Sequence, residues 1–206
     1  MNSSNPITNP SFRKLFTAQI IALVGTGLST VGLSLLAYNL AGENAGAVLG
    51  IALACKMIAY VFFAPIVGGL VHRFARKPFL ISLDVIRAFL VLLMPFVSEL
   101  WHIYLLIFLL NLFSAGFKPV FQAVIPDILE DDVMYGKALS YSRLAYDLEN
   151  LLSPTFAALA LLFFSYSGLF VGNSVAFVIS AAIIVVTTIP VPKPVQRTGS
   201  IWNEVS

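Results

Sequence analysis

The chain has 206 residues, of which 59% are hydrophobic and only 11% are charged, and its formal net charge is +2. A soluble domain of this size has too much surface to hide so much apolar material, and so small a net charge gives no basis for nucleic-acid binding. The single cysteine, Cys55, excludes an internal disulfide framework. The composition, with a mean hydropathy of +0.92, therefore predicts an all-α, polytopic membrane protein.

Apolar runs of membrane-spanning length recur along almost the whole chain. They predict six transmembrane helices at about 15–38, 47–70, 78–97, 102–125, 139–164 and 169–190. The connections between them are short, as antiparallel neighbouring helices require. No cleavable signal peptide is expected, because the first apolar run is too long for one. We therefore expect one six-helix transmembrane domain over 1–206, ending in a polar tail at 191–206.

The basic residues of the connections predict the orientation in the membrane. The connections and ends on one side of the six predicted spans carry eight Lys and Arg residues, and the three connections on the other side carry none. Basic residues are retained on the cytoplasmic side, so both termini are expected to be cytoplasmic in a multi-pass protein of the cell (inner) membrane. The eight are Arg13, Lys14, Arg73, Arg76, Lys77, Lys137, Lys193 and Arg197.

Charged residues within the predicted spans are candidate functional groups, because a charge at the bilayer centre costs ~2.5–3.5 kcal/mol on insertion scales. Lys56 lies near the middle of the second span, and Glu149 lies ~15 Å into the fifth at 1.5 Å per residue. Their depths are similar and their signs opposite, so Lys56 is expected to pair with Glu149 or with Asp147. The pair is either functional or a buried structural ion pair.

Two further charge pairs have helical spacing. Asp84 and Arg87 are three residues apart, and Arg143 and Asp147 are four apart, so each pair shares a helix face. Both lie toward the cytoplasmic end of the predicted bundle. We expect Arg73 or Arg76 to meet Asp84 there and to hold the second and third spans together.

Polar residues form a stripe on two predicted spans. In the first span they are Gln19, Thr26, Thr30 and Ser34, and in the fourth they are Asn111, Lys118 and Gln122, in register with Ala115. Such stripes turn toward a watery cavity or toward neighbouring helices. The alternative to a cavity is interhelical hydrogen bonding, worth ~0.6 kcal/mol per bond.

The acidic stretch "PDILEDDVMYGK" is the remaining cluster of possible metal ligands. Its carboxylates lack the alternation and turn glycine of a calcium-binding loop, so we expect a solvated connection that caps the next helix. They are Asp127, Glu130, Asp131 and Asp132. The sequence also has no phosphate loop, zinc spacing or nucleophile elbow, so no metal, cofactor, ATP-driven step or enzyme activity is expected.

The turn "GGLVHRFARKPFL" at 68–80 resembles the signature of the major facilitator superfamily in the loop between its second and third spans. That signature is a glycine, three residues, an acid, then Arg, any residue, Gly, Arg, and Arg or Lys. Gly68, Arg73, Arg76 and Lys77 match it at the right spacing. His72 stands where the acid is usual, and Ala75 replaces the second glycine.

Other segments resemble one branch of that superfamily, the bacterial drug- and siderophore-efflux group that includes macrolide and enterobactin exporters. They are "NPSFRKLFTAQIIALVG", "LDVIRAFLVLL" and "GFKPVFQAVIPDIL". In addition, "ENLLSPTFAAL" is similar to the glycine-rich motif of antiporters, with Pro154 matching. Ser153, Ala157 and Ala158 replace glycines by other small residues, and Glu149 replaces one outright.

The resemblance implies the amino-terminal six-helix half of a twelve-helix secondary transporter, driving proton-coupled efflux of an amphipathic small molecule. It implies a cavity lined by spans one and four, with substrate candidates Gln19, Thr26, Thr30, Lys56, Asn111, Lys118 and Gln122. The proton-carrying candidates are Glu149, Asp147 and Asp84. A cytoplasmic gate would comprise Gly68, His72, Arg73, Arg76, Lys77, Asp84, Arg87 and Arg143.

The half length leaves three possibilities open. Such transporters place the substrate between two repeats, and this sequence has the helices of one repeat. The expected alternatives are that the chain forms a homodimer, that it pairs with a separate second half, or that it is a truncated remnant. Its expected partners are lipid, a small-molecule substrate and protons. The alternative function is that of a non-transporting membrane interaction or regulatory subunit.

Overall fold

A computed structural model describes residues 5–71, 75–129 and 131–190. Within these ranges the chain forms six α-helices and no strand, and each helix coincides with one predicted span to within seven residues at either end. The helices are α1 (Pro10–Ala41), α2 (Ala45–Leu70), α3 (Arg76–Leu93), α4 (Leu100–Ile128), α5 (Asp132–Leu161) and α6 (Tyr166–Val185). The all-helical prediction is confirmed.

Local chemistry fixes several helix ends. Asn9 caps α1, its Oδ1 accepting hydrogen bonds from the backbone N–H groups of Ser11 and Phe12 at 2.9 and 3.1 Å. The helix ends at Gly42, whose φ of +53° favours glycine. Asp131 caps α5 by accepting from the N–H of Val133 at 2.9 Å. This confirms the capping role predicted for the acidic stretch, although Glu130 lies outside the described residues.

Four segments of the described chain are long and apolar enough to cross a membrane, by length and composition: Pro10–Leu70, Arg76–Phe96, Leu100–Ile128 and Tyr166–Val185. The first has 61 residues and contains both α1 and α2, whereas one crossing needs about 20. Helix α5 is not among the four, because Arg143, Asp147 and Glu149 interrupt its apolar sequence. The prediction of a fifth apolar span therefore lacks support from composition.

The helices form one bundle with a defined set of neighbours. Helix α1 packs against α6 and α5, α2 packs against α4, and α3 lies against both α6 and α4. At the α1–α6 contact, the Asn173 Nδ2 donates to Ser29 Oγ at 2.7 Å, and Gly25 lets the two backbones approach closely. At the α1–α5 contact, Gly27 lies against Ser153. Small residues thus allow α1 to occupy the centre of the bundle.

The outer surface of the bundle is apolar. Large side chains that a soluble protein would bury are exposed along several helices, among them Val61, Phe62, Phe89, Leu151, Leu159 and Val178. An apolar surface of this extent requires a lipid or protein environment. The exterior of the bundle is therefore apolar where that of a soluble protein would be polar, as the composition predicted.

Candidate functional site: a charged cavity in the helix bundle

A cavity of about 410 Å³ opens between α1, α2, α4 and α5, and Arg87 of α3 and Phe177 of α6 complete its wall. Many of the polar and charged residues singled out in the sequence contribute to this wall. They are Gln19, Thr26, Thr30, Lys56, Arg87, Asn111, Lys118, Arg143, Asp147 and Glu149. The cavity therefore gathers groups from five helices that are distant in sequence.

The polar stripe of α1 faces the cavity along most of its length. The hydroxyls of Thr26 and Thr30 donate to the carbonyls of Ala22 and Thr26 at 2.9 and 3.1 Å, one turn earlier in the same helix. These hydroxyls therefore do not link helices, and their oxygens remain as acceptors at the cavity wall. Ser34, the last member of the stripe, does not line the cavity.

The polar stripe of α4 lines the cavity only in part. Asn111 and Lys118 belong to the wall, and Asn111 Nδ2 donates to the carbonyl of Ile107 within its own helix at 2.8 Å. Ala115 is fully buried in the bundle. Gln122 does not line the cavity. It lies one turn beyond Lys118, and its assignment as a substrate candidate stays a prediction.

Gln19 is the buried polar group of the wall. Its side chain is 1% exposed, and its Nε2 donates to Ser142 Oγ of α5 at 2.7 Å. Its Oε1 has no hydrogen-bond partner among the described residues. A buried acceptor without a partner carries a free-energy cost, which a donor group on a bound molecule would relieve.

Arg87 is held rigidly at the wall by a buried network. It forms an ion pair with Asp84 one turn earlier, as the spacing predicted, and Ser180 Oγ of α6 donates to the other oxygen of that carboxylate at 2.7 Å. The Arg87 guanidinium also lies 4.4 Å from the ring centroids of both Phe117 and Phe177. Asp84 itself is fully buried and does not line the cavity.

The expected ion pair between Lys56 and Glu149 or Asp147 is wrong. Among the described residues, Lys56 forms no ion pair, because α2 packs on α4 while α5 packs on α1 and the cavity separates them. Asp147 instead pairs with Arg143 at 3.3 Å in an exposed contact on α5. Within the described chain the Glu149 carboxylate accepts a hydrogen bond from Ser153 Oγ at 3.3 Å, and Lys56 acts on it electrostatically across the cavity.

The charge contacts at the start of α3 also differ from their prediction. Arg76 pairs with Asp127 of α4 and donates to the carbonyl of Ala123 at 2.7 Å, rather than meeting Asp84. Arg76 is the first residue of α3, and Asp84 lies eight residues, or ~12 Å, further along the same helix. The Arg76–Asp127 pair therefore ties α3 to α4, and Gly68, near the end of α2, lies against Pro119 of α4.

Three further members of the predicted gate are Lys77, His72 and Arg73. Lys77 is partly exposed in the first turn of α3. His72 and Arg73 lie outside the described residues. In the described part of the chain, Arg76 contacts α4 through its pair with Asp127, and a gating role for this region stays a prediction.

Replacing Asp127 by asparagine is expected to lower the free energy of unfolding by about 1–3 kcal/mol, since it weakens a charge-assisted contact that is largely buried. Asp147→Asn is the matched control, because its ion pair is exposed and worth less than about 1 kcal/mol. The free energy of unfolding of each variant is measured by SDS titration monitored by circular dichroism. Equal losses in the two variants would contradict the assignment of Arg76 to Asp127.

Several wall residues were not singled out in the sequence. Tyr60, Ser114, Phe117, Tyr146 and Phe177 line the cavity, and the Tyr146 ring lies 5.2 Å from Lys118 Nζ. Aromatic residues are abundant throughout an apolar chain, so their spacing gives no signal. The helical register of Ser114 between Asn111 and Lys118 was the one available clue.

Comparison with known proteins connects this architecture to membrane transport. The chain is 27% identical over 188 residues to the multidrug resistance protein MdtG of Enterobacter lignolyticus, which covers 90% of this chain and 43% of that protein. It is 24% identical over 195 residues to macrolide efflux protein A of Streptococcus pyogenes, covering 92% and 47% of the two.

A third relative is the uncharacterized MFS-type transporter YfiS of Bacillus subtilis, 26% identical over 171 residues, which are 82% of this chain and 40% of that protein. The chain thus spans less than half the length of the curated relatives it matches. The apolar helices and these relatives identify an integral protein of the cell membrane. Because the Major Facilitator Superfamily model matches residues 15–204, the chain belongs to that superfamily.

Proposed function

We propose that this chain is one half of a secondary transporter that exports an amphipathic small molecule across the cell membrane, coupled to protons. The observation that carries the proposal is the cavity of about 410 Å³, whose charged and hydroxyl-bearing wall lies inside a bundle with an apolar exterior. Two relatives are named for multidrug resistance and for macrolide efflux. These names support efflux as the direction of transport.

The topology that fits this function has six crossings and cytoplasmic termini. Helix α5 has the length to cross a bilayer, and its charged residues Arg143, Asp147 and Glu149 contribute to the cavity wall. A span of this kind is less apolar than a lipid-facing helix, because part of its surface is hydrated. On this proposal residues 1–206 form a single domain, and α5 is its fifth transmembrane helix.

Pairing with a second half completes the cavity. The chain matches 40–47% of the length of its relatives, and in transporters built from repeats the substrate lies between two of them. The second half is another copy of this chain, a separate six-helix partner or a further segment of the same protein. The alternative function is that of a non-transporting membrane interaction or regulatory subunit.

Glu149 is the best candidate for the coupling proton. The carboxylates of Asp84 and Asp147 are each held in an ion pair, whereas Glu149 lines the cavity and forms no ion pair within the described residues. A carboxylate that gains and loses a proton during transport needs access to water and no fixed counter-charge. Glu149 is a partly buried residue of the wall, and Lys56 acts on it across the cavity without an ion pair between them in the described chain, which supports this role.

The test uses everted membrane vesicles containing the assembled protein and three matched probes: naphthylacetate, naphthylacetamide and naphthylethylamine. We expect a pH gradient to drive uptake of at least one probe, and Glu149→Gln to reduce that uptake to the level of vesicles without the protein. Glu43→Gln is the control, because Glu43 lies in the turn between α1 and α2, away from the cavity. Unchanged uptake in Glu149→Gln would remove Glu149 from coupling, and absence of uptake by every assembly would favour the non-transporting alternative.

A further inference from the structure

The cavity wall carries more positive than negative charge. Four cationic side chains line it, against two carboxylates, those of Asp147 and Glu149. Arg143 is neutralised by Asp147 and Arg87 by the buried Asp84. Lys56 faces Glu149 across the cavity and interacts with it electrostatically. Among the described residues, three carboxylates (those of Asp84, Asp147 and Glu149) therefore balance four cations, and we assign the excess charge to Lys118, which forms no ion pair there.

The surroundings of Lys118 leave its ammonium group incompletely satisfied. Lys118 is partly buried on α4, and within the described chain it forms no ion pair. Its Nζ atom lies over the face of the Tyr146 ring, 5.2 Å from the ring centroid. An ammonium group has three hydrogen-bond donors. The face of an aromatic ring attracts the charge, but it does not accept these hydrogen bonds in the way that a carboxylate oxygen does. An anionic group on a ligand would stabilise a charge in this position.

Groups suited to an anionic headgroup and to an apolar body lie beside Lys118. Ser114 is one turn before it on the same face of α4 and supplies a hydroxyl donor to the wall. Tyr60, Phe117, Tyr146 and Phe177 supply aromatic surface. Ligand sites of this type combine a mostly apolar lining with a few polar groups that fix orientation.

We propose that the cavity selects an amphipathic anion, with Lys118 and Ser114 holding a carboxylate or similar headgroup and the aromatic residues holding the apolar body. This inference rests on the proposed function, since it names the substrate class of the same cavity. The excess positive charge of the wall disfavours a cation of the same shape. Lys118 is thus the specificity-determining residue for the charge of the substrate.

Equilibrium dialysis against the assembled protein in zwitterionic-lipid nanodiscs tests the proposal with the same three probes, using empty discs as the blank. We expect naphthylacetate to bind about tenfold more tightly than naphthylacetamide, the effect of one charge-assisted hydrogen bond, and naphthylethylamine to bind most weakly. Lys118→Gln should abolish the preference for the anion and Lys118→Arg should retain it. Lys137→Gln, on the outward surface of α5, is the control and should leave it unchanged.

Three results would overturn the proposal: the amine binding as tightly as the acid, the preference for the acid persisting in Lys118→Gln, or none of the probes binding above the blank. The outcome is separable from that of the proposed function. Anion-selective binding by a protein that moves no probe in vesicles would retain this inference and reject transport. Transport of the amine in preference to the acid would retain transport and reject this inference.

Discussion

Replacing Asp84 by leucine is expected to lower the free energy of unfolding by about 3–5 kcal/mol, the largest effect we anticipate for a single substitution in this chain. Asp84 is fully buried and neutralises Arg87, which is itself only 5% exposed. Without the carboxylate, the guanidinium remains in the bundle as an uncompensated charge, and the Ser180 hydroxyl loses its acceptor. An SDS titration followed by circular dichroism measures the loss.

The double variant Asp84→Leu/Arg87→Leu separates the unpaired charge from the lost packing. Exchanging a whole buried pair for apolar residues is often nearly neutral, so the double variant should be more stable than Asp84→Leu alone. Asp147→Leu provides the exposed comparison, with a cost below about 1 kcal/mol. If the double variant is at least as unstable as the single one, the charge of Arg87 is not what Asp84 compensates.

The same network explains how the charge of Arg87 is stabilised at the wall of this cavity. Asp84 and Ser180 fix the guanidinium from behind, and Phe117 and Phe177 enclose it from two sides. Arg87 is therefore held in place before any ligand arrives, and its charge is already balanced. The charge of Lys118 is not balanced in this way, and we therefore assign different roles to Arg87 and Lys118, two of the four cations of the wall.

The sequence predicts those features that depend on neighbours along one helix. The apolar runs predicted helices at the positions of all six described α-helices, although α5 is not among the segments apolar enough to cross a membrane by length and composition. The spacings of Asp84 to Arg87 and of Arg143 to Asp147 predicted ion pairs that are present. The stripe in α1 predicted a common face for Gln19, Thr26 and Thr30, which line the cavity together.

Contacts between helices were less predictable. Lys56 and Glu149 lie at similar depths, but depth does not reveal which helices are adjacent, and the cavity lies between them. Arg76 could not be matched to Asp127 without knowing that α3 packs on α4. An apolar exterior is no guide to adjacency either, because most side chains that face lipid and most that face other helices are apolar.

Replacing Gly25 by alanine is expected to destabilise the bundle by about 1–3 kcal/mol through overpacking, despite the roughly 1 kcal/mol that alanine gains over glycine within a helix. A Cβ atom at this position would lie 2.5 Å from Asn173 Oδ1, 2.6 Å from Ala176 Cβ and 3.1 Å from Asn173 Cα. The last two atoms belong to the α6 helix itself or are fixed to it, so relief requires α1 and α6 to separate. The separation would also strain the hydrogen bond from Asn173 to Ser29.

Gly50→Ala is the matched control, because a Cβ there meets nothing within 4 Å and only the gain in helix propensity remains. SDS titration should therefore give opposite signs for the two substitutions. Ala176→Gly placed on the Gly25→Ala background should recover part of the loss, since it removes the Cβ that the new side chain meets. If Gly25→Ala and Gly50→Ala behaved alike, α1 and α6 would not cross at Gly25. The central position of α1, from which Gln19, Thr26 and Thr30 face the cavity, depends on that crossing.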